Sequence, residues 1–334
     1  MNLQPPFLIF LGDAKDALAV KTGQGIVDWR PEWALGQLRG ADCTADLGIP
    51  ELSIPSAAEL GAKTFVIGSV SPGGVLPESW TEIIVSAIEH GMDIASGLHT
   101  PLESMPAVAE AAQRRGQRLW DVRQPEQTFK PGSGERRSGK RLLTVGTDCS
   151  VGKKYTALCI ERDLRALHID ADFCATGQTG IFIAGRGVAI DAVVADFISG
   201  ATEWLSPAAK AEHWDVIEGQ GSLFHPSFAG VSLGLLHGAQ PDAFVVCDEP
   251  TRSSMRNVAT PMPSAEAVIE ATLSSGRLTN PAIQCVGVAI NTAQLTKRNA
   301  LREIAATAER VNLPVTDPIR FGVREITNHL LSVC

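Results

Sequence analysis

Leu142-Leu143-Thr144-Val145-Gly146-Thr147-Asp148-Cys149-Ser150-Val151-Gly152-Lys153-Lys154 is the stretch that decides the fold. An apolar, strand-like run feeds a Gly-bearing loop that closes on lysine. The residues after it read as helix, because Ala157, Ile160, Leu164 and Leu167 recur at helical intervals and make one apolar stripe. Strand, Gly-bearing loop, lysine and helix form the context of a phosphate-binding P-loop. Successive backbone N–H groups converge on an anion, the helix N-terminus adds partial positive charge, and Lys153 adds a full one. Gly152 allows close approach of the backbone. The competing reading is an ordinary strand-to-helix turn that happens to contain Gly-Lys, and the context on both sides disfavours it.

Between Gly146 and Gly152 the loop carries one residue more than GxxxxGK, a variant that resembles the GTDTxVGKT loop of dethiobiotin synthetase. The position after the lysine departs from that pattern. A nucleotide hydrolase places Ser or Thr there to ligate Mg²⁺, whereas this chain has Lys154. A second ammonium repels a divalent cation and neutralises phosphate charge. The loop therefore suits a phosphate-bearing ligand that is not cleaved at its phosphates, such as coenzyme A.

Outward from the loop, short apolar runs at 141–145, 172–175, 188–194, 215–217, 243–247 and 284–290 read as strands separated by helices, a doubly wound α/β domain. Before it, runs at 7–11, 64–68, 92–95 and 118–122 alternate with helical patterns. Ser56-x-x-Glu59 and Ser79-x-x-Glu82 have the form of capping boxes, and Gly61, Gly91 and Gly116 stand where helices would stop. The expected organisation is a Rossmann-like N-terminal domain over 1–123, a Gly/Pro/Ser-rich linker over 124–140 and a P-loop NTPase-like domain over 141–334. The first strand is followed by Gly12-Asp13-Ala14-Lys15 rather than GxGxxG, so no dinucleotide is assigned to it.

Composition excludes several classes. A formal charge of -8 argues against a general nucleic-acid binder. No apolar run is long enough for a membrane span, and MNLQPPFLIFLGDAKDA lacks the basic start of a signal peptide. The cysteines form no CxxC pair and no HExxH occurs, so neither a disulfide framework nor a metal site is expected. A cytoplasmic protein is expected, and a homo-oligomer, the common case for such enzymes.

The longer strings carry a family resemblance. GTDCSVGKKYTAL, ATGQTGIFIAG, AIDAVVADFISGATEWL, DVIEGQGSLFHPSFAGVSLGLLHGAQPDAFVVCDEPTR and SMR follow in order, preceded by KTGQG, CTADLGIPELSI and KTFVIGSVSPGG. The chain resembles the P-loop-like family, long of unknown function, that includes D-glutamate N-acetyltransferase. That resemblance implies acetyl transfer from acetyl-CoA to the amine of D-glutamate or a related acidic amino acid, without a metal. It implies that the CoA phosphates meet Gly146, Thr147, Asp148, Cys149, Ser150, Val151, Gly152, Lys153, Lys154 and Tyr155.

In such an enzyme Glu218, at the end of a strand in Asp215-Val-Ile-Glu218-Gly219-Gln220-Gly221, is the candidate general base. Gln220 stands beside it, and His225 is the rival. The alternatives are a Glu that orders its loop and a structural His. Asp248, Arg252 and Arg256 follow another strand, and the arginines are four apart, so on a helix they would share a face that suits a dicarboxylate; salt bridging to Asp248 or Glu249 is the alternative. Gln178 and Lys21 are candidates for substrate contact. Cys149, near a helix N-terminus and lysines, is expected to have a lowered thiol pKa, which would admit an acetyl-cysteine route. Two other functions remain open at this level: an ATP-dependent, carboxylate-phosphorylating enzyme like dethiobiotin synthetase, and a nucleotide-sensing protein without catalysis.

Overall fold

The computed structural model describes residues 3–17, 19–69, 75–125 and 127–334. Glu126 of the expected linker and residues 70–74 of the KTFVIGSVSPGG string lie outside them. The chain forms two compact units, residues 1–127 with 177–189, and 128–176 with 190–334. Residues 177–189, which chain order alone assigned to the second domain, thus pack with the first.

The first unit runs β1 (Phe7–Phe10), α1 (Lys21–Trp29), β2 (Ala34–Leu38), α2 (Ile54–Glu59), β3 (Thr64–Ile67), α3 (Thr81–Glu89), β4 (Asp93–Ser96), α4 (Pro106–Arg115) and β5 (Leu119–Asp121). Its sheet has the order β2-β1-β3-β4-β5, with every pairing parallel. Helices cover parallel strands on both faces, which is why β1 (FLIF) and β3 (TFVI) are buried at every position. Phe10 stacks on Phe65 at 5.4 Å and meets the edge of Trp80 at 5.1 Å.

The second unit begins with β6 (Lys140–Gly146), α5 (Lys153–Ala166) and β7 (Ala171–Cys174). After α6 (Gln178–Ala184), which belongs to the first unit, come α7 (Ile198–Leu205), β8 (Trp214–Ile217), α8 (Ala229–Ala239) and β9 (Ala243–Asp248). The chain closes with α9 (Ala265–Gly276), β10 (Gln284–Ile290), α10 (Lys297–Val311), β11 (Val315–Thr316) and α11 (Arg324–Val333). The sheet order is β11-β10-β9-β6-β8-β7, again all parallel. The chain leaves β6, passes over β8 to β7, and later returns to the other side of β6 at β9. The carboxyl end of β6 is therefore a topological switch point, where open α/β sheets bind ligands. Among the described residues, no helix is long and apolar enough to cross a membrane.

Several local expectations change. Residues 188–194 form no strand. They contain one 3₁₀ turn, Ile190–Ala192, and Ile190 N–H donates to the Thr176 carbonyl. A short apolar run has no period with which to separate the two. Ser56 is not a cap, since α2 begins earlier, at Ile54, and is capped by Ser53, whose hydroxyl accepts the Ser56 N–H. Ser79 lies in a 3₁₀ turn, Glu78–Trp80, and α3 follows without the extended cap residue a serine would need. Gly61, Gly91 and Gly116 do sit just past helices, all with positive φ. The exposed segment after residue 127 has no helix or strand before β6, and Glu203 fixes it by accepting the N–H groups of Ser133 and Gly134.

Candidate active site

β6 ends at Gly146 and α5 begins at Lys153, so residues 147–152 form the expected loop. Gly152 has φ 106, a left-handed conformation that favours glycine, and a Cβ there would meet nothing within 4 Å. The loop backbone at α5 thus faces open space, as an approaching phosphate requires.

Lys153 is buried, and its ammonium donates to the Asp148 carbonyl at 2.7 Å and the Gly221 carbonyl at 2.8 Å. Burial pushes its pKa down, and Cys149, Cys247, Asp148 and Glu218 pull in the opposite direction. An ammonium has a third proton to offer an anion. Lys154 instead lies over the ring of Tyr155, 4.5 Å from its centroid.

The turn after β8 closes one side of the loop. A Cβ on Gly219 would fall 1.6 Å from the Thr144 carbonyl oxygen, so only glycine fits there. Gly219 N–H donates to the Thr144 hydroxyl, and the Ser222 hydroxyl donates to the Thr147 carbonyl. Glu218, 5% exposed, accepts the Thr176 N–H through its carboxylate and the Thr176 hydroxyl through its main-chain carbonyl. The Gln220 side chain donates to the same Thr176 hydroxyl at 3.1 Å. Thr176, Thr144 and Ser222 were not singled out in the sequence. The signal for Thr176 was its place at the end of β7, which the sheet sets beside β8.

His225 is fully enclosed. Its Nδ1 accepts the Ser227 N–H at 3.1 Å, which makes Nε2 the protonated nitrogen, and Nε2 lies 3.0 Å from the Arg256 carbonyl.

After β9, residues 249–258 form no helix, contrary to the expectation for Arg252 and Arg256. Asp148 is the reason. Its buried carboxylate takes the Arg252 guanidinium and the Arg256 N–H, which wraps the segment around the P-loop. Arg252 also donates to the Cys149 carbonyl at 2.9 Å, and Arg256 to the Ser150 hydroxyl at 2.9 Å. Asp248 accepts the Thr147 hydroxyl at 2.7 Å, and burial raises its pKa. The Cys149 thiol likewise moves up, since burial outweighs Lys153, Arg256 and Arg252, so the expected lowering is reversed. Lys21 and Gln178 lie in the first unit, at the starts of α1 and α6, where Thr22 and Thr179 join hydroxyls at 3.1 Å.

Fold and loop define a P-loop protein that carries a Rossmann-like domain. The chain belongs to the DUF1611 family. The family's P-loop domain, described as a domain of unknown function, matches residues 128–327, and its Rossmann-like domain matches residues 38–125. A crystal structure of a DUF1611 family protein from Anabaena variabilis is similar at TM-score 0.88 and 30% identity, covering 98% of this chain and all of the other. Among relatives, a protein of a Pseudoalteromonas species is 50% identical over 99% of this chain and 100% of its own length. One from Tritonibacter scottomollicae is 45% identical over the same shares. Both are named D-glutamate N-acetyltransferase. The chain is an enzyme of the acyltransferase class.

Proposed function

We propose that the protein moves the acetyl group of acetyl-CoA to the amine of D-glutamate, giving N-acetyl-D-glutamate. The names of two full-length relatives support this reading. The observation that carries it is the loop itself, with Lys154 lying over Tyr155 where a phosphoryl-transfer enzyme needs a metal-binding hydroxyl. Such a loop holds phosphates without being built to cleave them.

In this reading the amides of residues 147–154 and the Lys153 ammonium hold the CoA diphosphate. Glu218 takes a proton from the substrate ammonium, freeing the amine to attack the thioester carbonyl. Backbone N–H groups of Gln220 and Gly221 stabilise the oxyanion, since that of Gly219 is held by Thr144; the oxyanion collapses as the C–S bond breaks, and the departing thiolate takes the second proton from the nitrogen. Thr176 fixes Glu218, and His225 and Asp148 hold the segment carrying Arg252 and Arg256 against the loop. Those arginines then brace the phosphate site rather than clamp the substrate. Transfer is direct, without an acetyl-cysteine, and needs no metal. The same reading makes the enzyme cytoplasmic and homo-oligomeric, the common arrangement.

The test is a panel of D- and L-amino acids with acetyl-CoA, following free thiol with and without EDTA. Thiol release with D-glutamate that survives EDTA is expected. Mg²⁺-dependent ATP consumption without thiol release would overturn the reading in favour of phosphoryl transfer.

A further inference from the structure

A cavity of about 260 Å³ opens beside the P-loop, within the second unit. We propose that it holds the adenosine end of coenzyme A, and that Arg320 selects for the phosphate on the ribose 3′ oxygen. This rests on acetyl-CoA being the donor.

Position is the first argument. The cavity begins at Val151 and Gly152, the last residues before Lys153, and runs along Tyr155 to the loops after β10 and β11. A ligand whose diphosphate lies on the loop amides enters it without a gap. Size is the second. The volume falls just below the roughly 300 Å³ at which pockets for whole small molecules begin, which suits one end of a longer ligand. Its walls are mixed as a nucleoside requires: Tyr155, Pro318 and Ile319 offer flat or apolar surface, and Asn291 offers an amide to a base edge.

The walls are also preset. One Asp317 oxygen accepts the N–H and hydroxyl of Thr292, and the other accepts the N–H groups of Ile319 and Arg320. A single buried carboxylate thus shapes both loops, so little ordering remains to be done on binding.

Arg320 supplies the specificity. It lines the cavity, its guanidinium donates only a long bond, 3.4 Å, to the Ala293 carbonyl, and no carboxylate pairs with it among the described residues. The P-loop accounts for a diphosphate. A further guanidinium at the nucleoside end calls for a further anion, which coenzyme A carries on its ribose and ATP lacks there.

The experiment compares CoA, dephospho-CoA and ATP by titration calorimetry, with turnover of acetyl-CoA and acetyl-pantetheine, in the wild type, Arg320→Ala, Arg320→Lys and Ala293→Trp. The wild type is expected to prefer CoA over dephospho-CoA by about ten- to a hundredfold, the range for a charge-assisted contact. Arg320→Ala should abolish that preference by weakening CoA alone, with KM for acetyl-CoA rising in parallel, and Arg320→Lys should restore part of it. Ala293→Trp should fill the cavity, weakening CoA and dephospho-CoA together while leaving acetyl-pantetheine turnover intact. Unchanged CoA preference in Arg320→Ala, or unchanged nucleotide affinity in Ala293→Trp, overturns the proposal while wild-type thiol release still stands. No thiol release from either donor by the wild type, with ATP bound as well as CoA, overturns the acetyl-transfer reading itself.

Discussion

The Arg252 guanidinium donates to the carboxylate of Asp148, a fully buried residue inside a loop otherwise suited to anions. A carboxylate there would repel phosphate. Its pairing with Arg252, and with the Arg256 N–H, offsets that charge and converts it into a fastening. Removing either partner leaves the other charge poorly compensated. Asp148→Ala and Arg252→Ala are each expected to cost about 2–3 kcal/mol, somewhat less than the roughly 3–5 kcal/mol of a fully buried pair because Arg252 retains 20% exposure. The double variant should cost clearly less than their sum. Urea midpoints of the three variants check this, and strict additivity would mean that the pair is not coupled.

Cys149 illustrates how burial can outweigh a positive neighbourhood. Its thiol is pushed up although Lys153, Arg252 and Arg256 stand near. A thiolate is the reactive form, so slow alkylation at neutral pH is expected. Cys149→Ser should keep kcat within a few-fold, because Arg252 bonds the main-chain carbonyl and not the sulfur. Intact-mass analysis after mixing with acetyl-CoA alone should find no acetylated chain. An acetyl adduct that vanishes in Cys149→Ser would restore the covalent route.

Asp121 gives the first unit a pH dependence. Both its oxygens face the Leu102 N–H, yet burial, with Glu103 beside it, raises its pKa to about 6. Unfolded, an aspartate titrates near ~3.9. Between those values the folded chain binds more protons than the unfolded one, so stability falls as pH rises through the window and levels off above it. Asp121→Asn carries no charge at any pH. It should therefore be more stable than the wild type at pH 8, by about 1 kcal/mol once partial exposure is allowed for, and nearly equal at pH 4.5. Denaturation at the two pH values measures the difference, and an identical offset at both would refute it.

The strands of both sheets were legible because a parallel strand buried on both faces is an apolar run between turns, as in β1, β3, β8 and β9. β2, with Gly36 and Gln37 in it, and the two-residue β11 lie at sheet edges and carry no such run. The P-loop was legible because its chemistry is local, from β6 to α5. The surroundings of Glu218 were not. Thr176 reaches it only because β7 and β8 are neighbours, and a lone threonine has no spacing to betray that. The four-residue interval between Arg252 and Arg256 misled for a related reason. It is compatible with a helix, but a buried carboxylate elsewhere in the chain decides how the segment runs.

Glu218→Gln separates catalysis from architecture. The main-chain carbonyl of residue 218 still accepts the Thr176 hydroxyl, and the new amide oxygen can accept the Thr176 N–H that the carboxylate now takes. Folding and acetyl-CoA affinity should therefore survive. The amide cannot accept a proton from the substrate ammonium, and loss of a general base costs about 10²–10⁴-fold in kcat. The residual rate should climb with pH, because only substrate that is already deprotonated in solution can then attack, whereas the wild type should climb less. Steady-state kinetics between pH 6 and 10, with KM for acetyl-CoA measured in parallel, distinguish the possibilities. A kcat within a few-fold of wild type at every pH would make Glu218 a loop-ordering residue tied to Thr176. A rise in KM for acetyl-CoA at constant kcat would place the carboxylate against the donor rather than against the amine.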